Sequence, residues 1–193
     1  MFEKVCNYLR QRKLYVTPAE QQAVREHTRH RMIPAHTVIM HQGKPVRRMY
    51  FVNEGIVRLF RIHNGVDVTL GIVSVNDFLS APHFLFSGSH STCGLETLTE
   101  ADVLEWDKND LIAIRKEVAH FDRIEMAVMD RLLNWVQEGQ INAMCLTAEE
   151  RYQKLIREQP ELFQRIPLKY IASLLNIHQD SLSRIRKTVV SKS

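Results

Sequence analysis

The chain lacks any long apolar run. No stretch of its 193 residues approaches the roughly 20 consecutive apolar residues of a membrane-spanning helix, so no membrane partner is expected. The N-terminal stretch MFEKVCNYLRQRK has no continuous apolar core of the kind a secretory leader needs, and looks like the start of an amphipathic helix. Cysteine is scarce. Cys6, Cys93 and Cys145 lie far apart, which argues against a disulfide framework and a structural zinc site and fits a reducing, cytoplasmic setting. Nine histidines occur without carboxylates or thiolates at a recognised ligand spacing, so no metal is expected. Catalytic signatures are missing too. There is no G-x-S-x-G, no phosphate-cradling glycine loop and no histidine–carboxylate constellation, so no catalytic residue is assigned and the chain is not read as an enzyme.

Two further absences are local. No proline occurs between Asp110 and Pro160, which leaves that stretch free to form long helices. No lysine or arginine occurs between Arg61 and Lys108, although the net charge is +4. That excess is supplied entirely by residues 149–193, which hold 9 basic and 5 acidic residues. From Arg165 onward the balance is Arg165, Lys169, Arg184, Arg186, Lys187 and Lys192 against Asp180 alone. A basic end on an otherwise balanced chain suits contact with a polyanion; a solvated helical tail is the plainer alternative.

What is present falls into three zones. The first thirty residues read as helical, with Thr17-Pro18-Ala19-Glu20 as a helix start and Met32-Ile33-Pro34 as its close. From Ala35 to Trp106 come short β-rich runs at 37–40, 49–52, 56–62, 66–73 and 103–106, separated by turn signals that include Asn64-Gly65. Many short strands with regular turns predict a sandwich or barrel-like roll. Leu111, Ile114, Val118, Phe121, Ile124, Val128, Leu132 and Trp135 then recur at spacings of three and four, as on one long helix. Met126, Met129, Leu133 and Val136 add a second apolar flank, which predicts burial against a second subunit; an ordinary core helix is the alternative. Thr147 to Glu150 reads as the cap of a new helix.

The last segment, from about Arg165 to Lys192, reads as two short helices. Residues 168–175 bury Ile171, Ala172 and Leu175, Asn176 ends that helix, and Ile177 plugs the turn. The second helix buries Leu182 and Ile185, so Gln179, Asp180, Ser183 and Arg184 project outward near its start. Arginine can pair with guanine, glutamine with adenine, and aspartate can accept from cytosine, which makes these four the candidate base readers. Lys169, Ser181, Arg186 and Lys187 are placed as contacts to the DNA backbone. A small helical bundle with a basic face is the alternative.

The stretch Ile171-Ala-x-x-Leu-x-Ile-x-x-x-Ser-Leu-Ser-Arg-Ile-Arg186 is similar to the helix-turn-helix of the Crp/Fnr family of bacterial transcription regulators. The motifs Ile39-x-x-x-Gly43, Tyr50-Phe-Val-x-x-Gly55-x-Val57 and Asn76-Asp77-Phe78 resemble that family's roll. The resemblance implies an α+β chain: an N-terminal double-stranded, jelly-roll-like β-roll of the cyclic-nucleotide-binding type at 1–109, a long dimerisation helix at 110–146, and a winged helix-turn-helix at 147–193. It also implies a homodimer on palindromic promoter DNA in the cytoplasm, with RNA polymerase as a further partner. By the same likeness the effector pocket falls between Asn76 and Gly94, at Asn76, Asp77, Phe78, Ser91, Thr92 and Cys93. The arginine that meets a cyclic nucleotide's phosphate is missing there, so cyclic AMP is not expected to bind in the usual manner and no cofactor is assigned. Three scattered cysteines cannot supply the roughly four thiolates of an iron–sulfur cluster. A cyclic-nucleotide-binding signalling module acting through protein contacts is the alternative function.

Overall fold

The structure, a computed structural model, describes residues 2–79 and 82–192. Two helices, α1 (Phe2–Gln11) and α2 (Pro18–Glu26), lead into a roll of eight strands. These are β1 (Arg29–Ile33), β2 (Val38–Met40), β3 (Arg48–Glu54), β4 (Val57–His63), β5 (Val66–Val73), β6 (Asp77–Leu79), β7 (Gly94–Thr97) and β8 (Ala101–Asp107), with the short helix α3 (Pro82–Ser87) between β6 and β7. All pairings between the strands are antiparallel, in two four-stranded sheets ordered β1-β8-β3-β6 and β2-β7-β4-β5. Phe51, Val52, Val57, Leu95 and Val103 are almost wholly buried in the roll's core. At the tip of the β4–β5 hairpin Asn64 and Gly65 both take positive φ, 50° and 77°, as the tight turn requires.

The helical reading of the first thirty residues needs correction at its end. Residues 29–33 are a strand, not a helix terminus, although only Ile33 is buried. The charges of β1 conceal it. Arg29 and Arg31 reach across to Glu105 of β8, whose side chain is only 2% exposed and is also met by Arg48. Arg29 also pairs with Asp107 and Asp110, and a strand whose basic side chains are all met by carboxylates has no need of apolar alternation.

The long helix also differs from expectation. The apolar stripe beginning at Leu111 runs over two helices, α4 (Lys108–Glu117) and α5 (Phe121–Cys145). The break falls at His120, which is left-handed at φ 56°, with no proline or glycine to announce it. The Ala119 N–H, released from the helical pattern, donates to Glu20 Oε1 of α2 at 2.6 Å. Glu20 also closes the capping box of α2: its Oε2 accepts from the Thr17 N–H at 2.8 Å, while its own N–H donates to Thr17 Oγ1 at 3.3 Å.

Four more helices follow: α6 (Ala148–Glu158), α7 (Leu162–Arg165), α8 (Leu168–Leu174) and α9 (Gln179–Lys192). The predicted cap at Thr147 is present, with Thr147 and Glu150 exchanging the two bonds of a second capping box. Removing its hydroxyl leaves a helix-end N–H without a protein partner, so Thr147→Ala is expected to destabilise the chain by about 1 kcal/mol in urea unfolding.

Candidate functional site

Helices α8 and α9 form a compact pair. Ile171, Ala172 and Leu175 of the first half are buried, and Leu182 of the second is 1% exposed against them. Asn176 takes φ 52° and turns the chain, and the Ile177 N–H donates to the Ala172 carbonyl at 3.0 Å. Arg151 of α6 closes the end of α8, its guanidinium donating to the Leu175 carbonyl at 3.0 and 3.3 Å and to the Leu146 carbonyl at 2.5 Å. That cation satisfies carbonyls left over at a helix C-terminus, where its charge is favoured.

With Leu182 inward, Gln179, Asp180, Ser183 and Arg184 are all exposed on α9, Asp180 and Arg184 on the side opposite Leu182. Arg186 and Lys187 are exposed further along, and Ser181 is half-buried. Lys169 is exposed on α8, with its Nζ 4.7 Å from the Tyr170 ring centroid. Asp180 and Arg184 do not brace one another: no ion pair joins them among the described residues. The side chain of Lys192 lies outside the described residues.

The pair is seated on the roll. Ile56, Ile72 and Leu98 of the roll share a core with Tyr152, Leu162, Ile166, Tyr170 and Ile171. The Thr69 N–H of β5 donates to Ser173 Oγ of α8 at 2.8 Å. Beside it lies Arg58, its side chain only 5% exposed, paired to both oxygens of Asp67 at 2.6 and 2.7 Å and to Glu96 Oε2 at 2.6 Å. Burial opposes its charge, and the bonds to Asp67 and Glu96 outweigh that and raise its pKa. Its guanidinium lies between aromatic rings, 4.6 Å from the centroids of Phe60 and of Tyr170 on α8. Sequence reasoning missed Arg58, Tyr170 and Ser173. A lone cation in the apolar strand Ile56–Phe60 was the available signal for the first.

The six residues expected to form an effector pocket divide into two groups by their partners. Asn76, at φ 55°, donates its N–H to the Val52 carbonyl at 2.7 Å. Asp77 pairs with Arg131 of α5 at 2.6 Å and accepts the Phe78 N–H at 2.9 Å. Burial pushes the Asp77 carboxyl up, while Arg131 and that N–H pull it down. Phe78 is buried in an aromatic cluster with Tyr8, Phe51 and Trp106. The buried Ser91 is tied through its backbone to Gly43 and Lys44 and accepts the Cys93 N–H at 3.2 Å. Thr92 is exposed, its Oγ1 3.6 Å from Cys93 Sγ. Among the described residues no hydrogen bond or ion pair joins the two groups; Ser80 and Ala81, within the same segment, lie outside them. Arg131 was not foreseen.

A cleft of about 770 Å³ opens between β5, α5, α6 and α8. At one wall the Trp135 indole covers Gly71 so closely that a Cβ there would fall 2.1 Å from its ring. Among the described residues no cluster of three or more His, Cys, Asp or Glu is placed to hold a metal, and no helix is long and apolar enough to cross a membrane.

Residues 30–117 match the model of the cyclic nucleotide-binding domain. Over most of its length the chain superposes on CLP of Xanthomonas campestris, a c-di-GMP-responsive global regulator, covering 91% of this chain and 93% of that one at TM-score 0.70 and 17% identity. It superposes equally on FixK2 of Bradyrhizobium japonicum (86% and 85%, TM-score 0.70, 16% identity). The chain folds as Crp/Fnr regulators do. A protein of Eubacterium rectale described as a transcriptional regulator of that family matches over 96% of this chain and 88% of its own, at TM-score 0.70 and 17% identity. No curated protein sequence matches closely enough to count as a relative. Within the Crp/Fnr fold, β1 to β8 are the roll, α5 is the long helix, and α6 to α9 are the C-terminal helical region.

Proposed function

We propose that the chain is a sequence-specific DNA-binding transcription regulator of the Crp/Fnr type, acting as a cytoplasmic homodimer on palindromic promoter sites. The observation that carries this reading is the exposed face of α9. Gln179, Asp180, Ser183 and Arg184 stand together on the outward side of a helix braced from behind by α8. In this reading residues 1–109 sense, 110–146 dimerise and 147–193 read DNA, and RNA polymerase is a further contact. Lys169, Ser181, Arg186 and Lys187 hold phosphates. No strand follows β8 among the described residues, so the reading rests on the two helices and not on a wing.

The effector of this regulator is not cyclic AMP held in the usual way. No lysine or arginine occurs between Arg61 and Lys108 to meet a phosphate. In a pocket built from Asn76, Asp77, Phe78, Ser91, Thr92 and Cys93, Asp77 already has Arg131 as its partner.

Arg184→Ala is expected to reduce discrimination between a selected operator and random DNA by about 1–3 kcal/mol, measured by competition binding at fixed salt. Equal weakening on both DNAs would remove the base-reading role. Affinity with no salt dependence would instead favour a signalling module that works through protein contacts.

A further inference from the structure

A second cavity, of about 570 Å³, lies away from α8 and α9, between the N-terminal helices, one sheet of the roll and the α4–α5 corner. Val5 and Leu9 of α1 wall it on one side, with Val16 and Val24. Met49, Phe78 and Trp106 of the β1-β8-β3-β6 sheet form the floor, and Leu111, Ile114, Phe121, Ile124 and Val128 the far side. The Trp106 N–H is already given to Thr28 Oγ1 at 2.8 Å, so that residue offers only its ring. The volume lies in the range of small-molecule sites. Only three of the seventeen lining residues are polar: Ser87, Arg115 and Glu125. Arg115 and Glu125 are paired with each other, so the polar edge of the cavity carries no net charge.

We propose that this cavity is a binding site for a neutral lipophilic small molecule with one polar end. Its hydrocarbon or aromatic body fills the space over Trp106 and Phe78. Its single hydroxyl, amide or carbonyl meets the Arg115–Glu125 pair, which offers both a donor and an acceptor. A carboxylate head would have to be brought up to Glu125 and would compete with it for Arg115, whereas a neutral head leaves the pair intact. A partner chain is a poorer occupant, because the cavity is walled by helices α1 to α5 and strands β3, β6 and β8 of the same chain. Of the exposed apolar flank of α5, only Met129 reaches it.

The test uses the full chain carrying Trp135→Phe, which leaves Trp106 as its one indole. Titration with 1-decanol, below its solubility limit, is expected to change Trp106 emission saturably at one molecule per chain. Decanoate and decyltrimethylammonium are expected to bind about tenfold or more weakly. Val24→Phe and, as a second filling, Val16→Phe are expected to abolish the response in chains whose circular dichroism is unchanged. No saturable response, a response that survives both fillings in folded chains, or equal binding of the charged probes would overturn the proposal. The measurement involves no DNA, so its failure leaves the reading of α9 untouched.

Discussion

Arg58→Ala is expected to destabilise the chain by about 3 kcal/mol, read as a lowered midpoint in chemical unfolding. The side chain is enclosed, and its removal leaves Glu96, 14% exposed, without the cation that compensates it. Asp67 is half exposed and can be hydrated again, which holds the figure at the lower end of the range for a broken buried pair. The same substitution removes the cation between Phe60 and Tyr170, so the C-terminal helices lose part of their seat on the roll. Arg58→Lys separates these effects. It keeps one positive charge but cannot serve Asp67 with two parallel donors, and it should recover only part of the loss. A change below about 1 kcal/mol for the alanine variant would mean that the pair behaves as an exposed one.

Leu133→Asp is expected to convert a dimer into a monomer and to weaken operator binding about a hundredfold or more. Met126, Met129, Leu133 and Val136 recur at intervals of three and four along the 25 residues of α5, and all are exposed, Leu133 by 66% and Val136 by 57%. A helix with such an exposed apolar seam fits the pairing pattern of a two-stranded coiled coil. A charge in the middle of that seam opposes association while leaving the chain's own core intact. Sedimentation of the parent chain as a monomer at micromolar concentration would refute the dimer, and unaltered sedimentation of the variant would move the interface elsewhere.

The roll was legible because its strands alternate and its turns carry Asn64-Gly65 and similar pairs, which act through local geometry. The α8–α9 pair was legible for a related reason: Ile171, Ala172, Leu175 and Leu182 mark the buried faces of two helices, and Asn176 marks the sharp turn between them. β1 was hidden because its pattern answers to Glu105, more than seventy residues away. The corner at His120 was hidden because Glu20, on another helix, supports it in place of a local breaker. The seat of α8 on the roll depends on Arg58, Tyr170, Thr69 and Ser173 meeting in space, and no spacing along the chain announces such a meeting. The partners of the residues expected to line an effector pocket were hidden for a comparable reason. The period-two alternation of β6 turns Phe78 toward α1 and Trp106.

β5 is the last strand of its sheet, and its outer edge is where α8 lies. Unpaired strand edges invite pairing with other chains. The C-terminal helices therefore also act as a shield for the roll. A roll cut free before α6 would carry an open edge at Thr69 together with the bared side chains of Ile56 and Ile72. Such a fragment should self-associate through that edge, and soluble preparations of the roll will need the shield retained or a charge placed on β5.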